Sequence, residues 1–121
     1  MAGKMVIMCT HGPENPELST VAFAMATAAM ASDVEVVVGL QADGVRLGAK
    51  GVAQTVQADK FPPLGDLLAA FLEGGGRLLV CAPCAMARNI DTANGLVTPS
   101  TVVGAAAFVA ECLAADRVLT Y

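Results

Sequence analysis

The stretch Arg77-Leu-Leu-Val-Cys81-Ala-Pro83-Cys84-Ala-Met-Ala-Arg88 passes from an apolar run directly into a helix-like segment. Its first five residues are typical of a buried strand, and Pro83 fits the first turn of a helix, where a missing N–H is tolerated. A cysteine at this junction faces unpaired backbone N–H groups and the positive end of a helix dipole, and both favour the thiolate. The stretch therefore predicts a strand–helix unit that presents a reactive sulfur.

Similar units precede and follow this stretch. Predicted strands cover residues 5–10, 34–40, 77–81 and 116–121, and predicted helices cover 16–31 (capped by Asn15), 64–73, 83–89 and 99–114 (capped by Thr98). Because the strands are continuous apolar runs, they indicate a parallel α/β sheet covered on both faces. We expect one domain over 1–121, with Cys9, Gly39–Gln41 and Cys81 at the shared carboxyl edge of the strands, where ligands bind in such sheets.

The composition limits the classes of partner. Of the 121 residues, 55% are hydrophobic and 15% are charged, yet the longest uncharged stretch, between Asp91 and Glu111, is too interrupted by polar residues and proline to predict a membrane span. We therefore expect partner subunits to cover the excess apolar surface. The first ten residues lead straight into a strand, so we expect no leader and a cytoplasmic protein. A net charge of −4 with scattered basic residues disfavours nucleic acid and anionic membranes.

The four cysteines allow several chemistries. In a cytoplasmic protein we expect them to be reduced, and to be catalytic or metal-binding rather than structural. The Cys81–Cys84 pair fits four interpretations. It is a dithiol that exchanges with other disulfides, or half of a zinc site that Cys9 and His11 complete. Otherwise Cys81 is a single nucleophile with Cys84 as a resolving or supporting thiol, or both thiols are inert. We favour Cys81 as the nucleophile because it lies at the strand end. Cys112 lies in an apolar helical pattern and is expected to be a small buried hydrophobe.

Two further residues are candidates for supporting roles. Arg88 lies one turn past Cys84, where its charge would stabilise a thiolate or a persulfide unless it is an ordinary solvated arginine. His11 is the single histidine and follows a strand end at the same edge, so any imidazole acid–base chemistry must use it. The glycine-punctuated stretch 41–63 predicts a mobile loop that contains a short helix, and this loop is either a mildly basic lid over the cysteine edge or an ordinary surface loop. Ala49 before Lys50 excludes a P-loop.

The chain resembles the DsrE/DsrF-like family, which includes TusD-type sulfur carriers, over nearly its full length. The resemblance rests on the opening strand with its Gly12-Pro13 loop, on the cysteine segment 79–90, and on the ending at 111–119 with Asp-Arg-Val. It implies a three-layer α/β/α sandwich with a mainly parallel sheet of about five strands, assembled as a homotrimer or homohexamer. Many relatives have glycine where this chain has Asn89, which also tolerates a left-handed backbone.

The resemblance also implies a function. The residue matching the family's sulfur-accepting cysteine is Cys81, which would take up sulfane sulfur as a persulfide from a donor protein and pass it to an acceptor protein, with no metal or organic cofactor. Cys84 occurs in the family members that have a CxxC pair. We therefore predict a sulfur carrier or sulfurtransferase, with Arg88, His11 and Cys9 in support. The alternatives are a non-catalytic oligomeric module that binds a ligand or partner at the strand edge, and a dithiol redox protein.

Overall fold

The computed structural model describes residues 3–121. The expectation that the chain has no leader concerns its first ten residues, and two of these, Met1 and Ala2, lie outside the described range. The strands are β1 (Lys4–Cys9), β2 (Glu35–Leu40), β3 (Arg77–Cys81), β4 (Thr101–Val103) and β5 (Arg117–Thr120). The α-helices are α1 (Pro16–Ala31), α2 (Leu64–Glu73), α3 (Ala82–Ala87) and α4 (Ala105–Ala114), with 3₁₀ helices at Ala42–Gly48 and Ala53–Thr55. Within residues 3–121, none of these helices is long and apolar enough to cross a bilayer.

The five strands form one sheet in the order β4-β3-β2-β1-β5, and every pairing is parallel. Cys9 stands opposite Leu40, and Leu40 stands opposite Val80. The carboxyl ends of β1, β2 and β3 therefore lie side by side along one edge of the sheet. The predicted parallel sheet of about five strands and the shared edge are both confirmed.

Helices cover both faces of the sheet, which confirms the three-layer α/β/α sandwich. On one face, α1 and α2 pack over β1, β2 and β3, and the rings of Phe23 and Phe71 meet edge to face with centroids 5.8 Å apart. On the other face, Phe108 of α4 packs in a smaller cluster with Val6, Met8, Val37 and Leu79. Among the described residues, this second face is covered by α4 alone.

The packing of α4 against the sheet depends on a glycine in the central strand β2. A Cβ atom at Gly39 of β2 would lie 2.7 Å from the Phe108 ring and 2.7 Å from the sulfur of Met8. No side chain fits there without displacing one of these neighbours. Gly39 therefore leaves the space in the apolar run of β2 that lets Phe108 pack against the sheet.

The first helix follows the predicted capping pattern. The Asn15 side chain accepts a hydrogen bond from the Leu18 amide at 3.1 Å, and Pro16 occupies the first helical position. The predicted range 16–31 is confirmed, as is the range 64–73 for α2. Both helices are therefore predictable from their local end signals.

The helix predicted over 99–114 with Thr98 as its cap is wrong over residues 99–104. Thr101–Val103 forms β4 on the free side of β3, and α4 begins only at Ala105 after the cap residue Gly104. A Thr-Val-Val run has three β-branched side chains, which fit a strand better than a helix. Pairing with the open edge of β3 supplies the backbone hydrogen bonds that such a short strand needs.

The short helix predicted within 41–63 is confirmed, but the expectation of a mobile loop is wrong for residues 42–48. Residues 42–48 form a 3₁₀ helix whose Val45 and Leu47 side chains are fully buried in the main core. This 3₁₀ helix packs closely against the end of β1 because residue 44 is glycine; a Cβ atom there would clash with the carbonyl oxygen of Cys9. The glycines that suggested mobility therefore permit close packing. Lys50, a basic residue of the predicted lid, is exposed.

An ion-pair network joins the beginnings of three strands to α4. Glu111 of α4 accepts from Lys4 of β1 at 2.7 Å and from Arg77 of β3 at 2.5 Å, and Arg77 lies 3.5 Å from Glu35 of β2. The hydrogen bonds from Arg77 and then Lys4 lower the pKa of Glu111 from 4.5 to about 2. The network therefore fixes the C-terminal half of α4 to the amino edge of the sheet.

We predict that Glu111→Gln lowers the free energy of unfolding by about 1–2 kcal/mol near pH 7. A carboxyl whose folded-state pKa is lowered stabilises the fold above its unfolded pKa, and this contribution is lost as the pH falls from 4.5 towards about 2. The difference between wild type and variant should therefore shrink over this range in denaturant titrations. Glu73→Gln, at an exposed position ending α2, is the matched control; an equal loss there would contradict the assignment.

Candidate functional site

Cys81 lies at the point where β3 turns into α3. It is the last residue of the strand and the N-cap of the helix, and its Sγ accepts a hydrogen bond from the Cys84 amide at 3.3 Å. Pro83 lies in the first helical turn, where its ring costs no intrahelical hydrogen bond. The strand–helix unit predicted from the sequence is confirmed, and Cys81 is half-buried at its junction.

Cys81 and Cys84 are joined by a disulfide, with their Cα atoms 5.3 Å apart. We expected reduced thiols, so this pairing is a finding that sequence reasoning did not favour. Its cause is local: the cap residue and the third helical residue lie on the same side of a helix start, which brings their side chains together. Cys9 and Cys112 are free.

Arg88 anchors α3 to the edge of the sheet. Its Nε donates to Asp43 Oδ1 at 2.9 Å, and its Nη1 donates to the carbonyl oxygen of Cys84 at 3.1 Å. Asp43 lies in the 3₁₀ helix that follows β2, and its hydrogen bond with Arg88 holds the pKa of its carboxyl below the usual value. Arg88 therefore acts on the backbone of Cys84 rather than directly on a sulfur.

The end of α3 also follows the sequence expectation. The Arg88 amide donates to the Ala85 carbonyl at 3.1 Å, and Asn89 then adopts a left-handed backbone with φ +57°. Asparagine reaches this region more easily than most residues other than glycine. Asn89 thus forms the left-handed turn that the sequence analysis expected at this position.

Cys9 is at the same sheet edge but away from the disulfide. It is fully buried, its Sγ donates to the His11 carbonyl at 3.2 Å, and burial raises its thiol pKa to about 12. β2 lies between β1 and β3, so the ends of these two strands are roughly 10 Å apart. The zinc site of Cys9, His11, Cys81 and Cys84 is therefore wrong, and residues 3–121 contain no cluster of three metal-ligating side chains.

His11 is paired within its own loop. Its Nδ1 lies 2.7 Å from Glu14 Oε2, while Glu14 Oε1 accepts from the Gly12 amide at 2.6 Å. The ring is partly exposed on the β1 side of β2, across that strand from Cys81. Glu14 was missed by sequence reasoning, although its spacing of three residues from the histidine was a usable signal.

The sequence also gave no role to Asp43, the partner of Arg88. Its usable signal was position: it follows the end of β2, at the edge where Cys81 ends β3.

Cys112, expected to be buried, is only partly so. It packs against the smaller cluster next to Glu111, at the opposite end of the strands from the disulfide.

The chain is similar to known proteins both in its sequence and in its fold. The model of the DsrE/DsrF-like family matches residues 3–121. The uncharacterized protein MJ0760 of Methanocaldococcus jannaschii is 33% identical over 91 residues, which are 75% of this chain. The matched region spans about a third (33%) of the length of that relative.

Two solved structures have the same fold. The ychN protein from E. coli superposes with a TM-score of 0.80 at 19% identity, and the match covers 100% of both chains. MTH1491 from Methanobacterium thermoautotrophicum, a protein described as of unknown function, gives 0.76 at 15% identity over 98% of this chain and 99% of that one. At these identities the likeness establishes the α/β/α fold and its topology.

We predict that Arg88→Gln speeds amide hydrogen exchange in residues 84–90 by about fivefold, because α3 loses both the bond to Asp43 and the bond to the Cys84 carbonyl. The measurement is hydrogen exchange followed by mass spectrometry. Arg46→Gln is the matched control, since Arg46 also faces Asp43, at 3.7 Å, but does not bond to Cys84. Equal exchange in the two variants would show that Arg88 does not anchor the helix.

Proposed function

The chain belongs to the DsrE/DsrF-like family, and from that membership we propose that it is a sulfur-relay protein that carries sulfane sulfur as a persulfide on Cys81. The observation that carries the proposal is the placement of Cys81, a partly buried residue at the strand–helix junction whose Sγ accepts a hydrogen bond from the Cys84 amide. The proposed site of action is the cytoplasm, where donor and acceptor thiols stay reduced.

The relay consists of two thiol exchanges. The Cys81 thiolate attacks the outer sulfur of a donor persulfide, the donor cysteine leaves as a thiolate, and Cys81–S–SH forms. An acceptor thiolate then attacks the outer sulfur, and Cys81 leaves as a thiolate. Before the first step, an external dithiol reduces the Cys81–Cys84 disulfide and is itself oxidised to a disulfide. Each transfer step then breaks one S–S bond and forms one, so the two transfers need no further oxidant or reductant.

The amide of Cys84 supports both exchanges. Cys81 is the nucleophile in the first and the leaving group in the second, and a backbone N–H aimed at its Sγ stabilises the thiolate in each case. Arg88 is a positioning residue, because its bonds to Asp43 and to the Cys84 carbonyl hold the turn that carries this amide. His11 and Cys9 lie on the β1 side of β2, so we assign no transfer step to them.

The surface around Cys81 suits a protein partner. Pro83 is exposed, and Met86 is 71% exposed two residues beyond Cys84. Methionine adapts its shape to different apolar surfaces, which favours contact with more than one partner. A donor and an acceptor protein can therefore use the same exposed apolar surface of α3 in turn.

The disulfide favours dithiol exchange as a second candidate function. A Cys81–Cys84 pair that is reduced and reoxidised without gaining sulfur would be a redox protein of the CxxC type. The two candidates differ in the covalent product: a relay gains a sulfur atom on one cysteine, whereas a redox protein only loses two hydrogens.

We also propose that the chain forms a homotrimer or homohexamer through α4. Val109 and Leu113 lie one turn apart on the outward side of this helix and are 55% and 82% exposed. A helix that is apolar on both sides normally packs against two neighbours, and here the described chain supplies only the sheet. A second copy of the chain would cover the outward side.

We predict that Cys81→Ser abolishes sulfur loading and that Cys84→Ser retains it. The reduced proteins are treated with inorganic polysulfide, and peptide mass spectrometry maps a gain of about 32 Da, one sulfur atom. Cys112→Ser is the matched control and should load like wild type. A gain confined to Cys9 or Cys112 would refute the relay through Cys81, and a disulfide that forms with no sulfur gain in any variant would favour the redox candidate.

We predict that Leu113→Glu reduces the oligomer to smaller species, because a charge on the covered side of α4 would lose its hydration at the interface. Light scattering coupled to size exclusion gives the mass. Leu18→Glu is the control, since Leu18 is also exposed, at 37%, but lies on α1. A monomeric wild type, or an unchanged mass in the variant, would contradict assembly through α4.

A further inference from the structure

We propose that Cys84 limits the lifetime of the Cys81 persulfide by attacking Cys81 Sγ, which releases the carried sulfur as sulfide and closes the Cys81–Cys84 disulfide. This inference rests on the proposed function and adds a second fate for the same sulfur. The chain would then pass sulfur to an acceptor when one is docked and discharge it as sulfide when none is.

The geometry selects which sulfur atom is attacked. A persulfide on Cys81 has an inner sulfur, Sγ, and an outer sulfur beyond it. Cys84 Sγ reaches bonding distance of Cys81 Sγ with the two Cα atoms 5.3 Å apart and α3 intact from its first residue. The structure thus shows the product of attack on the inner sulfur, formed within the same fold.

Atoms and electrons balance in this step. The Cys84 thiolate forms a bond to Cys81 Sγ, the bond between Sγ and the outer sulfur breaks, and the outer sulfur leaves with the electron pair as hydrosulfide. The Cys84 sulfur is oxidised by one electron and the outer sulfur is reduced by one, while Cys81 Sγ stays at the oxidation level of a disulfide sulfur. Reopening the disulfide for another round requires an external dithiol, which becomes a disulfide itself.

Local contacts hold Cys84 in position for this attack. Its amide bonds to Cys81 Sγ at 3.3 Å, and its carbonyl bonds to Arg88 at 3.1 Å. Pro83 also limits the backbone between the two cysteines. A nucleophile held this close reacts as though it were present at very high concentration, and effective molarities of about 10⁵ M occur in well-oriented systems. An external thiol must dock at the site to compete.

Neither of the other cysteines is placed for this reaction. Cys9 is fully buried at the end of β1, with β2 between it and Cys81. Cys112 follows Glu111, which bonds to Lys4 and Arg77 at the beginnings of their strands, whereas Cys81 ends its strand. Cys84 is therefore the single described thiol that reaches Cys81 within one chain.

The test follows the persulfide after loading. Wild type, Cys84→Ser and Cys84→Ala are reduced with a dithiol, desalted without oxygen and treated with a limiting amount of inorganic polysulfide. We expect wild type to release about one sulfide per chain and to lose two hydrogens as the disulfide forms. Both Cys84 variants should retain the added sulfur at least about tenfold longer. Cys112→Ser, the control, should behave like wild type.

The outcomes separate this inference from the relay itself. If the Cys84 variants load on Cys81 but lose the sulfur as fast as wild type, the relay stands and the role of Cys84 is overturned. If neither Cys84 variant gains sulfur, the relay through Cys81 fails and this inference fails with it. If Cys81→Ser loads on Cys84 as readily as Cys84→Ser loads on Cys81, the assigned order of the two cysteines is wrong. Circular dichroism confirms that each variant is folded.

Discussion

The hydrogen bond from the Cys84 amide to Cys81 Sγ is the contact on which the candidate site depends. It exists because an extended strand ends at the residue that caps the next helix, so the side chain at the cap meets the first free N–H groups of that helix. A helix of six residues would not hold this geometry by its own propensity. The pair of Arg88 and Asp43 ties the helix to the end of β2, so the local bond depends on the packing of the sheet edge.

The two faces of the sheet are stabilised in different ways. On one face, two helices and a buried 3₁₀ segment form a large core that includes Phe23 and Phe71. On the other, one short helix is held by a single ring against Gly39 and by the charges around Glu111. The thin face has the exposed apolar side chains of α4 on its outside, and the site lies at the carboxyl ends of the strands. The assembly on α4 that we propose would therefore leave the cysteine edge open to a partner.

The predictable parts of the fold are those with local signals. Apolar runs, the Asn15 cap and the three glycines after Glu73 were enough for β1, β2, β3, α1 and α2. The errors fell where tertiary contacts override local pattern: Thr101–Val103 becomes a strand because β3 offers an open edge, and the glycines near 44 allow tight packing. At the candidate site, the sequence predicted Cys81 and Cys84 as the reactive pair. It could not show that Arg88 bonds to Asp43, because that pair depends on strand order.

Strand order also explains why the sheet edge contains two separate sulfur environments. If β1 and β3 were neighbours, Cys9 and His11 would stand beside the CxxC pair and a metal site would be possible. Because β2 lies between them, Cys9 is buried with a raised pKa, and Cys81 has one thiol within reach. A sulfur atom bound as a persulfide on a cysteine with one intramolecular thiol partner has two fates. That partner thiol displaces it as sulfide, or a docked protein accepts it. In the relay that we propose, the balance between these two fates would depend on how well an acceptor protein docks beside α3, where Met86 is exposed.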